Sequence, residues 1–172
     1  ILNDNKKTMM IGGEHLVTYG TIREYVKKYP DLNIIHFDAH TDLRDEFLGR
    51  ELSHATVLKK CYEMLKSGTL YQFGIRSGDK EEFEWAKTHI HQRKFDLVGL
   101  DKCVEELKDK PVYITIDLDV LDPSIFPGTG TPEAGGVTFK ELEDAILTMR
   151  GLNNIVGADM VELSPDYDSS HV

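Results

Sequence analysis

At 172 residues, with 40% hydrophobic and 29% charged side chains, the chain has the makeup of one globular domain with a real core, and not that of a disordered segment. The formal net charge of -10, from 20 Lys and Arg against 30 Asp and Glu, argues against nucleic acid or an anionic membrane as the main partner and favours a cationic substrate or a bound metal. The 2 cysteines make no disulfide framework and point to a reducing cytoplasm, and no apolar run approaches the roughly 20 residues of a membrane helix. The chain opens at Ile1 without an initiator Met and stops at Ser170-His171-Val172 without a closing element, so it reads as an interior piece of a longer protein, cut at both ends.

Strand and helix patterns alternate. Residues 8–11 form a short strand ending in Gly12-Gly13, and Ile22, Tyr25, Val26 and Tyr29 then recur at helical spacing until Pro30 stops the helix. Residues 32–38 read as a buried strand. Ser53 can cap a helix with the apolar stripe Val57, Leu58, Cys61 and Leu65, in which Cys61 is a small buried hydrophobe. Strands follow at 69–75 and 95–98, with a helix over 79–90 between them and another over 100–107. The clearest strand is 112–117. A Pro/Gly loop occupies 122–136, and Thr138 with Glu141 then makes a capping box for a helix whose stripe is Leu142, Ala145, Ile146 and Met149. Residues 154–163 are the last strand, punctuated by Pro165. Repeated β–α units with near-continuous apolar strands predict an α/β three-layer sandwich, a mostly parallel sheet with helices on both faces, and the whole of 1–172 is read as a single domain.

Ligands of such sheets bind beyond the carboxyl ends of the strands, where the chemically interesting residues fall. Two acidic clusters stand there, Asp38-Ala39-His40-Thr41-Asp42 and Asp117-Leu118-Asp119. Carboxylates so crowded repel one another and resist leaving water, so a divalent metal pair is the economical counter-charge. On an extended chain Asp38 and Asp42 would lie about 13 Å apart at about 3.3 Å per residue, too far for one ion, so the chain must curl or serve two ions. A mixed His/carboxylate set suits Mn²⁺, Zn²⁺ or Fe²⁺. His15, after Gly12-Gly13-Glu14, can be brought to the same edge by a tight turn. His36 is read as a packed, hydrogen-bonded core residue; His89 and His91 as solvated; His171 as uninformative.

Three segments in order, Ile11-Gly12-Gly13-Glu14-His15, Phe37-Asp38-Ala39-His40-Thr41-Asp42 and Thr115-Ile116-Asp117-Leu118-Asp119-Val120-Leu121-Asp122-Pro123, the last followed by Pro127-Gly128 and Gly136, resemble the ureohydrolases, the arginase–agmatinase family. The resemblance implies an arginase/deacetylase-like fold, two Mn²⁺ ions per subunit, and hydrolysis of a guanidinium to urea and an amine. His15 and Asp42 would hold one ion, His40 and Asp119 the other, and Asp38 and Asp117 would bridge them. Glu162, in Val161-Glu162-Leu163-Ser164-Pro165, resembles the guanidinium-binding glutamate, and His54 resembles the histidine that shuttles protons or contacts substrate.

The loop Leu43-Arg44-Asp45-Glu46-Phe47-Leu48-Gly49-Arg50-Glu51-Leu52 lacks the Asn and Ser with which arginases hold an amino-acid head, and with Glu14 it looks more like the bacterial agmatinase branch, whose substrate agmatine yields urea and putrescine. An arginase, a guanidino-acid hydrolase or a formiminoglutamase remains open, since Arg44 could meet a carboxylate. From other classes, a zinc-dependent deacetylase-like amidohydrolase or a non-catalytic metal binder would share the architecture. The resemblance also implies a homo-oligomer, a trimer or hexamer, and a longer chain than this one.

Overall fold

The structure is a computed structural model, and it describes residues 1–4 and 6–170, so His171 lies outside the described residues. Its strands are β1 (Thr8–Ile11), β2 (Asn33–Phe37), β3 (Leu70–Ile75), β4 (His91–Lys94), β5 (Val112–Asp117) and β6 (Ile155–Val161). They form one sheet in the order β1-β6-β5-β2-β3-β4, and every pairing is parallel. Parallel neighbours need crossover connections, supplied here by helices α1 (Val17–Lys28), α2 (Val57–Met64), α3 (Lys80–His89), α4 (Leu100–Leu107) and α5 (Phe139–Thr148).

Strands β2, β3 and β5 are buried along their whole lengths, as central strands covered on both faces must be. Side-chain alternation divides the interior into two cores. Ile34 and Tyr113 pack with Ile22, Tyr25, Leu58 and Cys61 under α1 and α2, whereas Ile35 and Ile114 pack with Leu100, Val104, Leu142 and Ala145 under α4 and α5. Each such aliphatic side chain, fully buried, stabilises the fold by about 1.5–3 kcal/mol relative to exposure. The three-layer sandwich is therefore as expected. Among the described residues no helix is long and apolar enough to cross a membrane.

Two expectations need correction. The strand expected at 95–98 lies instead at His91–Lys94. Its residues are polar because β4 is an edge strand, paired only to β3 and mostly exposed, so no apolar pattern marks it. Phe95 takes φ 67° and ends the extension, and the next residues turn into α4. Ile146, expected in the buried stripe of α5, is exposed, while Leu142, Ala145 and Met149 are buried as expected. His91 is exposed, as read, but stacks on Tyr71 with ring centroids 4.5 Å apart.

Chain direction across the sheet reverses between β2 and β5. From β2 the chain passes through α2 to β3 on one side, and from β5 through α5 to β6 on the other, with the two helices on opposite faces. That reversal opens a crevice at the carboxyl ends of the two strands. Register pairs Phe37 with Ile116, so Asp38 and Asp117 emerge there side by side.

Candidate metal centre

The chain gives up extension as soon as β2 ends. His40 N donates to Asp38 Oδ1 at 2.5 Å, and Asp42 sits in left-handed backbone at φ 53°. Buried Glu82, in the first turn of α3, holds this curl: it accepts from the Thr41 hydroxyl, from Leu43 N at 2.8 Å and from Asp79 N at 2.7 Å. After β5 a 3-10 turn, Leu118–Val120, lets Asp119 N donate to Asp117 Oδ1 at 2.9 Å and faces Asp119 back toward β2, where Ala39 N donates to its Oδ1 at 3.0 Å. Arg76, just beyond β3, spreads its guanidinium over the carbonyls of Gly74, Asp119, Val120, Leu121 and Glu133, which fixes that turn. Gly12 and Gly13, at φ 90° and 89°, supply the turn from β1 that carries His15 over the sheet edge.

Two groups result. His15 Nδ1 lies 3.3 Å from Asp38 Oδ2, 3.2 Å from Asp42 Oδ2 and 3.2 Å from Asp117 Oδ2. His40 Nδ1 lies 3.3 Å from Asp38 Oδ1 and 3.0 Å from Asp119 Oδ2. Asp38 thus presents one oxygen to each histidine. His15 Nδ1 is buried and makes no hydrogen bond of acceptable geometry, despite three carboxylate oxygens around it. A buried nitrogen aimed at converging carboxylates is a donor set arranged for a cation, and the residues present fit divalent metal ions. Ionised Asp38, Asp42, Asp117 and Asp119 would be balanced by two of them.

The electrostatics say the same. Burial, then the charge of Asp38, pushes Asp42 up to about 7 and Asp119 up to about 6, and the same causes, with Asp119 added, hold Asp117 well above the usual carboxylate range. Asp38 goes the other way. Burial opposes its ionisation, but His36, His15 and His40 around it hold its carboxyl well below that range. His40 is pushed up to about 11, since Asp119 and Asp38 outweigh the cost of burial. The cluster therefore carries more negative charge than it can keep, and protons occupy the place of missing positive charge.

Every residue predicted for the site comes to it. Glu162, at φ 63° just after β6, is half-buried rather than solvated, and its Oε1 accepts from His15 N at 2.7 Å. His54 opens a 3-10 turn, His54–Thr56, ahead of α2; its ring stands edge-on to Phe47, and Nδ1 lies 3.4 Å from Glu14 Oε1. Together with His15, His40, Asp42 and Asp117 these two side chains line a cavity of about 260 Å³. Arg44 also lines it but is engaged, 3.0 Å from Asp79 Oδ2, 3.6 Å from Glu82 Oε2 and over the Phe47 ring. His36 lies beneath: Gln72 Nε2 donates to its Nδ1 at 3.1 Å, so its Nε2–H donates to Asp38 Oδ2 at 2.8 Å. It is the hydrogen-bonded core histidine expected, with the further task of orienting Asp38.

Sequence reasoning missed Glu82 and Arg76. The capping pair Asp79 and Glu82 was a local signal for the first, but nothing local announced a guanidinium collecting carbonyls from 43–57 residues further along.

Fold and site together define an α/β protein with a candidate metal-binding cluster of carboxylates and histidines at the switch point of a parallel sheet. The chain belongs to the arginase family, whose family model matches residues 1–172. It is 51% identical over 173 residues to agmatinases of Bacillus anthracis and of Bacillus subtilis (strain 168), in each case across 99% of this chain and 60% of the relative. A solved structure of a provisionally assigned agmatinase from Clostridium difficile superposes with a TM-score of 0.94 at 48% identity, covering 99% of this chain and 63% of that one. The chain thus spans about 60% of the length of the curated relatives it matches.

Proposed function

We propose that the protein is a dinuclear manganese hydrolase that cleaves the guanidinium of agmatine to urea and putrescine. The observation that carries this reading is the double cluster in which Asp38 gives one oxygen to the His15 group and the other to the His40 group. His15 and Asp42 would hold one ion and His40 and Asp119 the other, with Asp38 and Asp117 available to both. Bound there, the ions supply the Lewis acidity that makes water nucleophilic near neutral pH.

The chain's own residues do the rest. Guanidinium is permanently charged and a poor electrophile, so it must be held and oriented. Glu162, fixed by His15 N at 2.7 Å, offers it a carboxylate for a charge-assisted hydrogen bond. Water adds to the guanidinium carbon, the bond to the substituted nitrogen breaks, and both protons of that water end on the departing nitrogen, which leaves as an ammonium. His54, in the cavity lining beside Glu14, passes one of those protons to it.

Arg44 supports one member of the family over the others. Its ion pairs with Asp79 and Glu82 leave it compensated, which disfavours a substrate carboxylate and favours the ammonium end of agmatine. The agmatinase relatives support the same substrate. A mononuclear zinc deacetylase would have no use for the second histidine–aspartate group. A cytoplasmic homo-oligomer, trimer or hexamer, completes the reading.

The test is urea release by the Mn²⁺-loaded full-length protein with agmatine and with arginine at equal concentration, with Asp119→Ala as control. Urea from agmatine alone, lost in the variant, is expected. Urea from arginine would move the specificity; urea from neither would overturn the reading.

A further inference from the structure

Beneath the His15 group lies a further buried carboxylate. Asp159, in the middle of β6, is fully buried and accepts three hydroxyl hydrogen bonds: from Thr18 Oγ1 at 2.9 Å, Tyr113 Oη at 2.8 Å and Thr115 Oγ1 at 2.6 Å. Thr115 is its direct register partner on β5. Thr115 Oγ1 also lies 2.9 Å from His15 Nε2, and all three residues are buried.

A hydroxyl has one proton. Thr115 spends it on Asp159, so toward His15 it can only accept, and Nε2 must carry the hydrogen. In the neutral ring Nδ1 is then a bare lone pair, and it faces Asp38 Oδ2, Asp42 Oδ2 and Asp117 Oδ2 at 3.2–3.3 Å. We propose that Asp159, acting through the Thr115 hydroxyl, fixes His15 in the tautomer whose Nδ1 serves the cation site, and so sets the occupancy of that site without touching ion or substrate. Asp159 and Thr115 are positioning residues. The His40 group does not share this support: its Nε2 lies 3.9 Å from the half-exposed Glu133 carboxylate. The two sites of the centre therefore differ in how firmly their histidine is set.

The proposal rests on the dinuclear reading above and makes a directional prediction. In Asp159→Asn the amide nitrogen can donate to Thr115 Oγ1, which turns the hydroxyl proton toward His15 Nε2 and forces the hydrogen onto Nδ1. Thr115→Val deletes the link outright, Thr115→Ser retains it, and Tyr113→Phe removes a different hydrogen bond from the same carboxylate.

Mn²⁺ binding to the full-length protein and these four variants, followed by calorimetry and by electron paramagnetic resonance, tests it, with melting temperatures recorded alongside. The unsubstituted protein is expected to bind two ions. In Asp159→Asn and Thr115→Val one site should weaken about 10–100-fold while the other holds. Thr115→Ser and Tyr113→Phe should keep both. Two ions bound equally well by Asp159→Asn and by Thr115→Val would overturn the relay alone. So would a loss in Tyr113→Phe matching that in Thr115→Val, which marks general loosening of the core. If Thr115→Val does not fold, Asp159→Asn, which keeps the volume, decides. A parent protein that binds no Mn²⁺ overturns the dinuclear reading and the relay with it.

Discussion

Asp38 and Glu162 show how single side chains divide labour. Asp38 Oδ2 accepts from His36 Nε2–H at 2.8 Å while still facing His15, and Oδ1 accepts from His40 N at 2.5 Å while facing the His40 ring. Replacing it with Asn should cost both ions, whereas Asp42→Asn, which touches only the His15 group, should cost one; the Mn²⁺ stoichiometry of the two variants separates them. Glu162 makes a different case. Glu162→Gln keeps an oxygen for His15 N but loses the charge that would pair with guanidinium. A hydrogen bond to a charged group contributes about 1.5–3 kcal/mol, so KM for agmatine should rise about 10–100-fold with Mn²⁺ stoichiometry unchanged. An unchanged KM would remove Glu162 from the substrate site. The acidic residues of the candidate centre were legible in the sequence because their chemistry is: carboxylates two apart at the ends of apolar strands need a counter-charge, whereas His15 entered chiefly through the family resemblance. Asp159 was not legible. It stands alone in Ile155–Val161, and its partners Thr18, Tyr113 and Thr115 come from α1 and β5, a convergence that only the register of the sheet creates.

At the level of elements, the centre depends on two loops being held against strands to which they do not belong. Residues 38–44 are pinned by Glu82 from α3 and by Gln72 Nε2 of β3, which donates to Thr41 O at 2.7 Å. The turn after β5 is pinned by Arg76. Gly74 allows the close approach this needs: at φ 88° it admits Val120 of that turn, whose Cγ2 would lie 2.6 Å from an added Cβ. Glu82→Ala strips acceptors from the Thr41 hydroxyl and from the N–H groups of Leu43 and Asp79. Unsatisfied buried donors cost about 1–3 kcal/mol each, so the variant should lose about 3 kcal/mol, a fall of roughly 10 °C in Tm at about 2–4 °C per kcal/mol. Glu82→Gln, which keeps an acceptor, should lose less than half of that by the same thermal melt. An equal loss in both would mean that charge, not acceptance, holds the loop. The central elements were readable because burial on both faces writes an apolar run, as in Val112–Asp117. Edge strand β4 was misplaced because one exposed face and one neighbour leave no apolar signature in His91-Gln92-Arg93-Lys94.

For the molecule as a whole, the crowded charge of the centre makes folding, pH and metal one problem. In the metal-free protein Asp42 is raised to about 7 and Asp119 to about 6, from an unfolded value near 3.9. A carboxyl whose folded pKa is raised contributes stability that is present below the unfolded pKa and lost as pH rises through the folded one. These two groups therefore weaken the metal-free fold between about pH 4 and 7. His40, raised to about 11, adds stability below its unfolded value near 6.5 that is lost only as pH climbs toward 11, so it does not reverse the trend. Asp38, held low, supports the fold above about pH 4 and is already ionised in this window. Metal ions act with the opposite sign. They need the carboxylates ionised and the imidazoles neutral, so binding expels protons and strengthens as pH rises, and ion at about 1,000 times its Kd adds about 4 kcal/mol. Chelated protein should accordingly melt at progressively lower temperature from pH 5 to 8. Mn²⁺-loaded protein should hold or rise over the same range, so that the gap between the two curves widens with pH. Melting curves at pH 5, 6, 7 and 8, with chelator and with Mn²⁺, measure that gap directly. Parallel curves would mean that the four carboxylates do not titrate against the metal, and the assignment of the cluster as its site would fall.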